Sequence, residues 1–147
     1  DPETYLTEFG SRIGHPIDRA GWIEARRSAM APWPEMLDLA RRIGRQSRIA
    51  IYTNNGPLTK ASLPELFPEA AEIFPERYYS FEFATKKPDP LSFTRLTSHM
   101  EVEPQSCWFV DDKRSNVQGA RMAGLAGHHF RSYDQFRTEA LSLGFDL

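Results

Sequence analysis

The sequence predicts an α/β fold in which a parallel sheet is covered by helices on both faces. Three observations carry this expectation: short β-prone runs recur from residue 48 onward, helical patterns separate them, and Gly, Pro and Asn mark the junctions. Strands separated by helices need crossover connections, which makes their pairing parallel. The chain has 147 residues, 40% of them hydrophobic and 26% charged, enough for one compact unit with a real core.

Three helices are expected before any strand. Tyr5, Leu6, Phe9 and Ile13 share one face at helical spacing, and Gly14 can stop that run. Asp18 is a cap candidate for a second helix carrying Trp22, Ile23 and Met30. Pro32-Trp33-Pro34 breaks the chain, and a third helix opens at Pro34, carries Met36, Leu37, Ala40 and Ile43, and ends at Gly44. The run Arg48 to Thr53 then reads as a strand, stopped by the turn Asn54-Asn55-Gly56-Pro57. Further strands are expected near Tyr78 to Phe81, Cys107 to Val110 and His128 to Phe130. Helical patterns lie between them at Lys60 to Phe67, Pro90 to Met100 and Asn116 to Ala126, with a last helix near Gln135 to Leu143.

Composition excludes several functions. Eighteen Lys and Arg against twenty Asp and Glu leave a net charge of −2, so no global field draws the chain to nucleic acid or an anionic membrane. No apolar stretch approaches the ~20 residues that span a bilayer. The single cysteine, Cys107, allows no internal disulfide, and the polar start Asp1-Pro2-Glu3-Thr4 is unlike a secretory signal, so a cytoplasmic address is expected. Arg41, Arg42, Arg45 and Arg48 read as a solvated basic helix end. His128 and His129, adjacent in a strand, point to opposite faces and do not form a joint metal site. Trp22 and Trp33 read as packing residues before substrate contacts.

Ligands of open parallel sheets bind beyond the carboxyl ends of the strands. Two expected strands end in chemistry-bearing residues, Thr53-Asn54-Asn55 and Asp111-Asp112. Adjacent carboxylates repel unless a cation compensates them, and Mg²⁺ takes one or two carboxylates plus waters and phosphate oxygens. The other reading of the pair is a cap for the following helix. Lys87, in Lys86-Lys87-Pro88-Asp89-Pro90, is either a fixed ammonium that offsets phosphate or carboxylate charge, or a solvated loop residue. Thr53 could donate to a phosphate oxygen while the Asn54 amide and turn form an anion nest; turn chemistry explains them equally. No Walker motif or Gly-x-Gly-x-x-Gly is present.

The order of the motifs is more specific than any one of them. Ile51-Tyr52-Thr53-Asn54-Asn55-Gly56, then Lys87-Pro88-Asp89-Pro90, then Trp108-Phe109-Val110-Asp111-Asp112 with Asn116 through Gly124 resembles the haloacid dehalogenase superfamily, at its second, third and fourth motifs. A response-regulator receiver domain has the reverse order, its acidic pair preceding the Thr and Lys. The resemblance implies a Rossmann-like core over residues 46–147 and part of an N-terminal helical cap over residues 1–45. It further implies hydrolysis of a phosphate monoester on a small phosphorylated metabolite through an aspartyl-phosphate. Thr53 and Asn54 would hold the phosphoryl group, Lys87 would offset its charge, and Asp112 would be the direct Mg²⁺ ligand with Asp111 close behind and Asn116 acting through water. The Asp-Asp pair favours the phosphatase branch over the metal-free carbon–halogen branch. Its wording is similar to sugar-phosphate phosphatases and to the phosphatase domain of bifunctional epoxide hydrolases.

The family's first motif, Asp-x-Asp on the first strand, does not occur in these residues. The expectation is therefore a chain taken from a longer enzyme, starting inside the cap and inactive alone. The strands ending at Thr53 and Val110 should then not pair directly. The alternative is an inactive relative that serves as a binding or assembly module.

Overall fold

The computed structural model describes all 147 residues. Its elements run α1 (Pro2–Ile13), α2 (Arg19–Ser28), α3 (Pro34–Gly44), β1 (Ala50–Thr53), α4 (Pro57–Leu66), α5 (Pro68–Ile73), β2 (Glu76–Tyr79), α6 (Pro90–Met100), β3 (Trp108–Asp111), α7 (Arg114–Met122), β4 (Ala126–His129) and α8 (Tyr133–Ser142). Short 3₁₀ turns lie at Ser80–Phe83 and Pro104–Ser106. The α/β expectation holds, with every strand pairing parallel.

Local chemistry sets the helix ends. The Asp18 carboxylate accepts from Gly21 N–H at 2.8 Å and caps α2; the Asp89 carboxylate accepts from Leu91 N–H at 2.9 Å and caps α6, where Pro90 takes the first turn. Gly14, in the left-handed region at φ 72°, closes α1.

Several boundaries differ from the sequence reading. The second strand stops at Tyr79, because Glu82 turns back and accepts the Tyr79 N–H at 3.2 Å, winding Ser80–Phe83 into a 3₁₀ turn. Helix α5 has no counterpart in the sequence reading; Pro68 at its first position and Glu69 in its first turn are the local signals that mark it. Met30 lies beyond α2 and is exposed, so it is no part of that helix's packing face. Helix α7 starts two residues early and ends at Met122. Gly124, at φ 92°, then reverses the chain, and Ala126 N–H donates to Cys107 O at 2.9 Å to begin β4.

The strands form two separate two-stranded sheets. β1 pairs with β2, Thr53 opposite Tyr79, and β3 pairs with β4, Asp111 opposite His129. No ladder joins β1 to β3. Helices cover both faces. On one, Phe93 of α6 and Ala120 of α7 pack with Tyr52 and Phe109; on the other, Leu39 and Ile43 of α3 and Phe136 and Ala140 of α8 pack with Trp108 and Val110. Alternation along β3 sends Phe109 one way and its neighbours the other. Helices α1 and α2 bury Leu6, Trp22 and Ile23 against Leu58 and Leu66 of α4, a core separate from that of α3.

Candidate active site

The carboxyl ends of β1 and β3 bring Thr53 and Asp111 to one mouth, linked by the loop that carries Lys87. The Lys87 Nζ donates to the Tyr52 carbonyl oxygen at 2.9 Å and to Asp111 Oδ2 at 2.7 Å. It lies 5.2 Å from the centre of the Phe109 ring and 5.6 Å from that of Tyr52. These contacts leave the Lys87 side chain 10% exposed and that of Asp111 9% exposed. The ammonium is fixed and buried, which overturns the solvated-loop reading. A lysine so enclosed needs a carboxylate partner, since an unpaired buried charge costs several kcal/mol.

The loop itself is held by Asn54. Its Nδ2 donates to Lys87 O at 2.9 Å, and its Oδ1 accepts Lys87 N–H at 3.0 Å. The sequence reading gave Asn54 only a backbone role, so this side-chain clamp was missed. The signal was there: a strand-end Asn-Asn facing a Lys-Pro loop, with amides able to donate and accept at once. Asn55 donates from Nδ2 to Thr53 Oγ1 at 2.8 Å, and from its N–H at 3.2 Å. The Thr53 hydroxyl thus accepts from the turn and keeps its own proton to give to a ligand.

Asp111 is the more heavily bonded of the carboxylate pair. Besides Lys87, it accepts from Lys113 N–H at 2.8 Å and from Asn116 Nδ2 at 3.0 and 3.1 Å. Burial pushes its carboxyl up, but the hydrogen bonds from Lys87, Lys113 and Asn116 and the Lys87 charge outweigh it and hold the group below the usual carboxylate range. Lys113, with no side-chain bond of its own, is the cap of α7, so neither aspartate is its cap residue. Asn116 is buried and bonded directly to Asp111. Asp112 is exposed, its carboxylate engaged by no hydrogen bond or ion pair of the structure, while its carbonyl oxygen lies 3.0 Å from His129 Nε2. His128 is buried in the other direction, against Trp108 and Phe136, so the two histidines face apart as expected.

Gly119 sets how closely α7 meets the lysine loop. A Cβ there would lie 1.9 Å from Pro88 O, so only glycine fits. Trp22 is buried in the α1–α2 core, whereas Trp33 is 46% exposed and packs edge-on against Phe130 at the surface. A cavity of about 460 Å³ opens among Arg41, Arg45, Arg48 and Glu76, near the amino end of β1 and away from Thr53.

No group of three or more His, Cys, Asp or Glu side chains converges on one point. Two adjacent carboxylates, Asp111 and Asp112, are the kind of partial donor set that a hard cation completes with water and phosphate oxygens.

The model of the haloacid dehalogenase-like hydrolase family matches residues 4–124. The chain belongs to that family. Members and neighbours span a wide range of similarity. The chain is 32% identical over 75 residues to flavin mononucleotide hydrolase 1, chloroplastic, of Arabidopsis thaliana, an alignment over 48% of this chain and 31% of that protein's length. Its fold is similar to that of a haloacid dehalogenase family enzyme from Bacteroides thetaiotaomicron, solved with magnesium and inorganic phosphate. The TM-score is 0.76 at 18% identity, over 92% of this chain and 74% of that one. A predicted family hydrolase from Porphyromonas gingivalis gives a TM-score of 0.72 at 19% identity, over 95% of this chain and 72% of that one. No helix is long and apolar enough to cross a membrane.

Proposed function

We propose that this family member acts in a magnesium-dependent phosphate monoester hydrolase that works through an aspartyl-phosphate. One observation carries the reading: the Lys87 ammonium bridges the end of β1 and the Asp111 carboxylate at the end of β3, two strands that share no ladder. β1 and β3 each pair on one side only, unpaired edges are costly, and a strand between the two would satisfy both. In the family that strand carries the Asp-x-Asp motif, so the nucleophile would enter beside Lys87.

The roles follow from the groups at the mouth. The Thr53 hydroxyl and the Asn54 backbone N–H bind phosphate oxygens. Lys87 offsets the charge that gathers where a carboxylate nucleophile meets a phosphoryl group, and Asp111 with Asn116 keeps the lysine aimed. Asp112, with its carboxylate free, would hold magnesium directly with Asp111 adjacent, and the ion would supply neutralisation of the phosphate charge there. The magnesium and phosphate bound to the Bacteroides enzyme support this assignment. The nucleophilic carboxylate oxygen forms a bond to phosphorus as the ester bond breaks. The leaving oxygen takes a proton from the motif's second aspartate, and water then cleaves the acyl phosphate. The substrate is a small phosphorylated metabolite, as the name of the Arabidopsis relative supports.

We also place the boundary between cap and core at Pro32-Trp33-Pro34 and not at residue 45, since α3 packs with α8 while α1 and α2 pack on α4.

Borohydride trapping tests the mechanism. Full-length natural protein turning over a phosphate ester should yield a reduced aspartate in a peptide outside residues 1–147. Label within these residues, or none during active turnover, would contradict it.

A further inference from the structure

A second cavity, about 160 Å³, joins the proposed phosphate turn to the first two helices. Asn54, Asn55 and Gly56 form one wall, and Tyr5, Trp22 and Arg26 form another. Pockets that enclose a whole drug-sized ligand run to ~300–1,000 Å³, so this one takes a single end of a substrate.

The second wall is built around a fixed indole. Trp22 is 4% exposed, locked in the core with Leu6 and Leu58. The Arg26 guanidinium lies 5.7 Å from the centre of its ring, and the Tyr5 ring meets it edge-on at 6.4 Å and 87°. Arg19, Arg42 and Arg48 each pair with a carboxylate, but Arg26 forms none of the ion pairs of the structure. A guanidinium stacked on an aromatic face keeps its N–H fork for a planar acceptor. Tyr5 stacks on Phe9 at 6.0 Å and 14°, yet is 46% exposed, so it still leaves ring surface at the same opening for stacking. On the opposite side, a Cβ on Gly56 would meet nothing within 4 Å, so the cavity is open toward the turn.

We propose that Tyr5, Trp22 and Arg26 form the leaving-group subsite of this centre, and that its occupant is a flat, acceptor-bearing heterocyclic ring joined to the phosphate that is hydrolysed. This rests on the phosphatase reading above. Tyr5 stacks on the ring, Arg26 donates to its carbonyl or imide oxygens, and Trp22 holds both in position. An acyclic phosphate ester reaches Thr53 and Lys87 without touching this wall.

The test compares flavin mononucleotide with glycerol phosphate as substrates of the full-length natural protein. Arg26→Met and Tyr5→Leu should each raise KM for flavin mononucleotide roughly tenfold, with kcat and melting temperature unchanged and glycerol phosphate kinetics unaffected. Equal effects on both esters, or no effect on either while hydrolysis persists, would overturn the subsite and leave the phosphatase reading standing. Absence of hydrolysis of both esters by the wild type would overturn that reading and the subsite with it.

Discussion

The side chain of Asn54 and the backbone of Lys87 exchange two hydrogen bonds, at 2.9 and 3.0 Å. This reciprocal pair ties the turn after β1 to the loop that delivers the lysine. Asn54→Ala should leave both Lys87 backbone groups to water, at about 1 kcal/mol of stability per lost bond or less. Activity should suffer more, because a displacement near 1 Å can cost about 100-fold. Asn54→Asp keeps the acceptor and loses the donor, so its kcat/KM should fall between the two. Comparing kcat/KM with melting temperature across the series separates positioning from stability.

Removing the buried ammonium should be harsher. Lys87→Met leaves the Asp111 carboxylate enclosed without its cation and should cost about 3 kcal/mol in a denaturant titration. Asp111→Asn in the same chain should recover part of that loss, since the stranded charge is then gone. Strict additivity of the two changes would contradict a direct pair.

Acid should weaken the fold through Asp111. Its carboxyl is held below the ordinary range, so the unfolded chain binds protons first as pH falls. The stability from this group is complete above the ordinary Asp pKa near 4 and is lost as pH drops through the lower folded value. Melting temperature should decline from about pH 5 downward, and Asp111→Asn should flatten that decline. The partly buried Glu76, held down to about 2 by Arg48 and Tyr78, leaves a residual slope of the same sign.

Gly119→Ala places a carbon against Pro88 O, where no flexible side chain can yield. The helix must shift from the lysine loop, and a cost of about 1–3 kcal/mol is expected together with lost activity. Glu76→Gln is the contrasting case. Its pair with Arg48 is partly exposed to solvent and remote from the mouth, so stability should change by about 1 kcal/mol or less and activity not at all.

Much of this was legible in residue pattern. Helix α6 runs Pro90–Met100 as its apolar pattern and Pro90 predict, and the strand ends at Thr53 and Asp111 lie where β-prone runs give way to polar residues. The order of Thr53, Lys87 and Asp111-Asp112 pointed to the family before any contact was known. What remained hidden depends on side chains meeting across long sequence separations. Nothing local to Asn54 says that its amide grips Lys87, and nothing local to Gly119 reveals Pro88 O beside it. The grouping of α3 with α8 is hidden for the same reason. Its apolar stripe asks for a partner without naming one.

Phosphate release by the full-length natural protein, measured with and without magnesium for wild type and Asp112→Asn, tests the central claim most directly. Magnesium-dependent release in the wild type, lost in Asp112→Asn at an unchanged melting temperature, is the predicted result. Release that ignores magnesium, or an Asp112→Asn protein as active as the wild type, would contradict it.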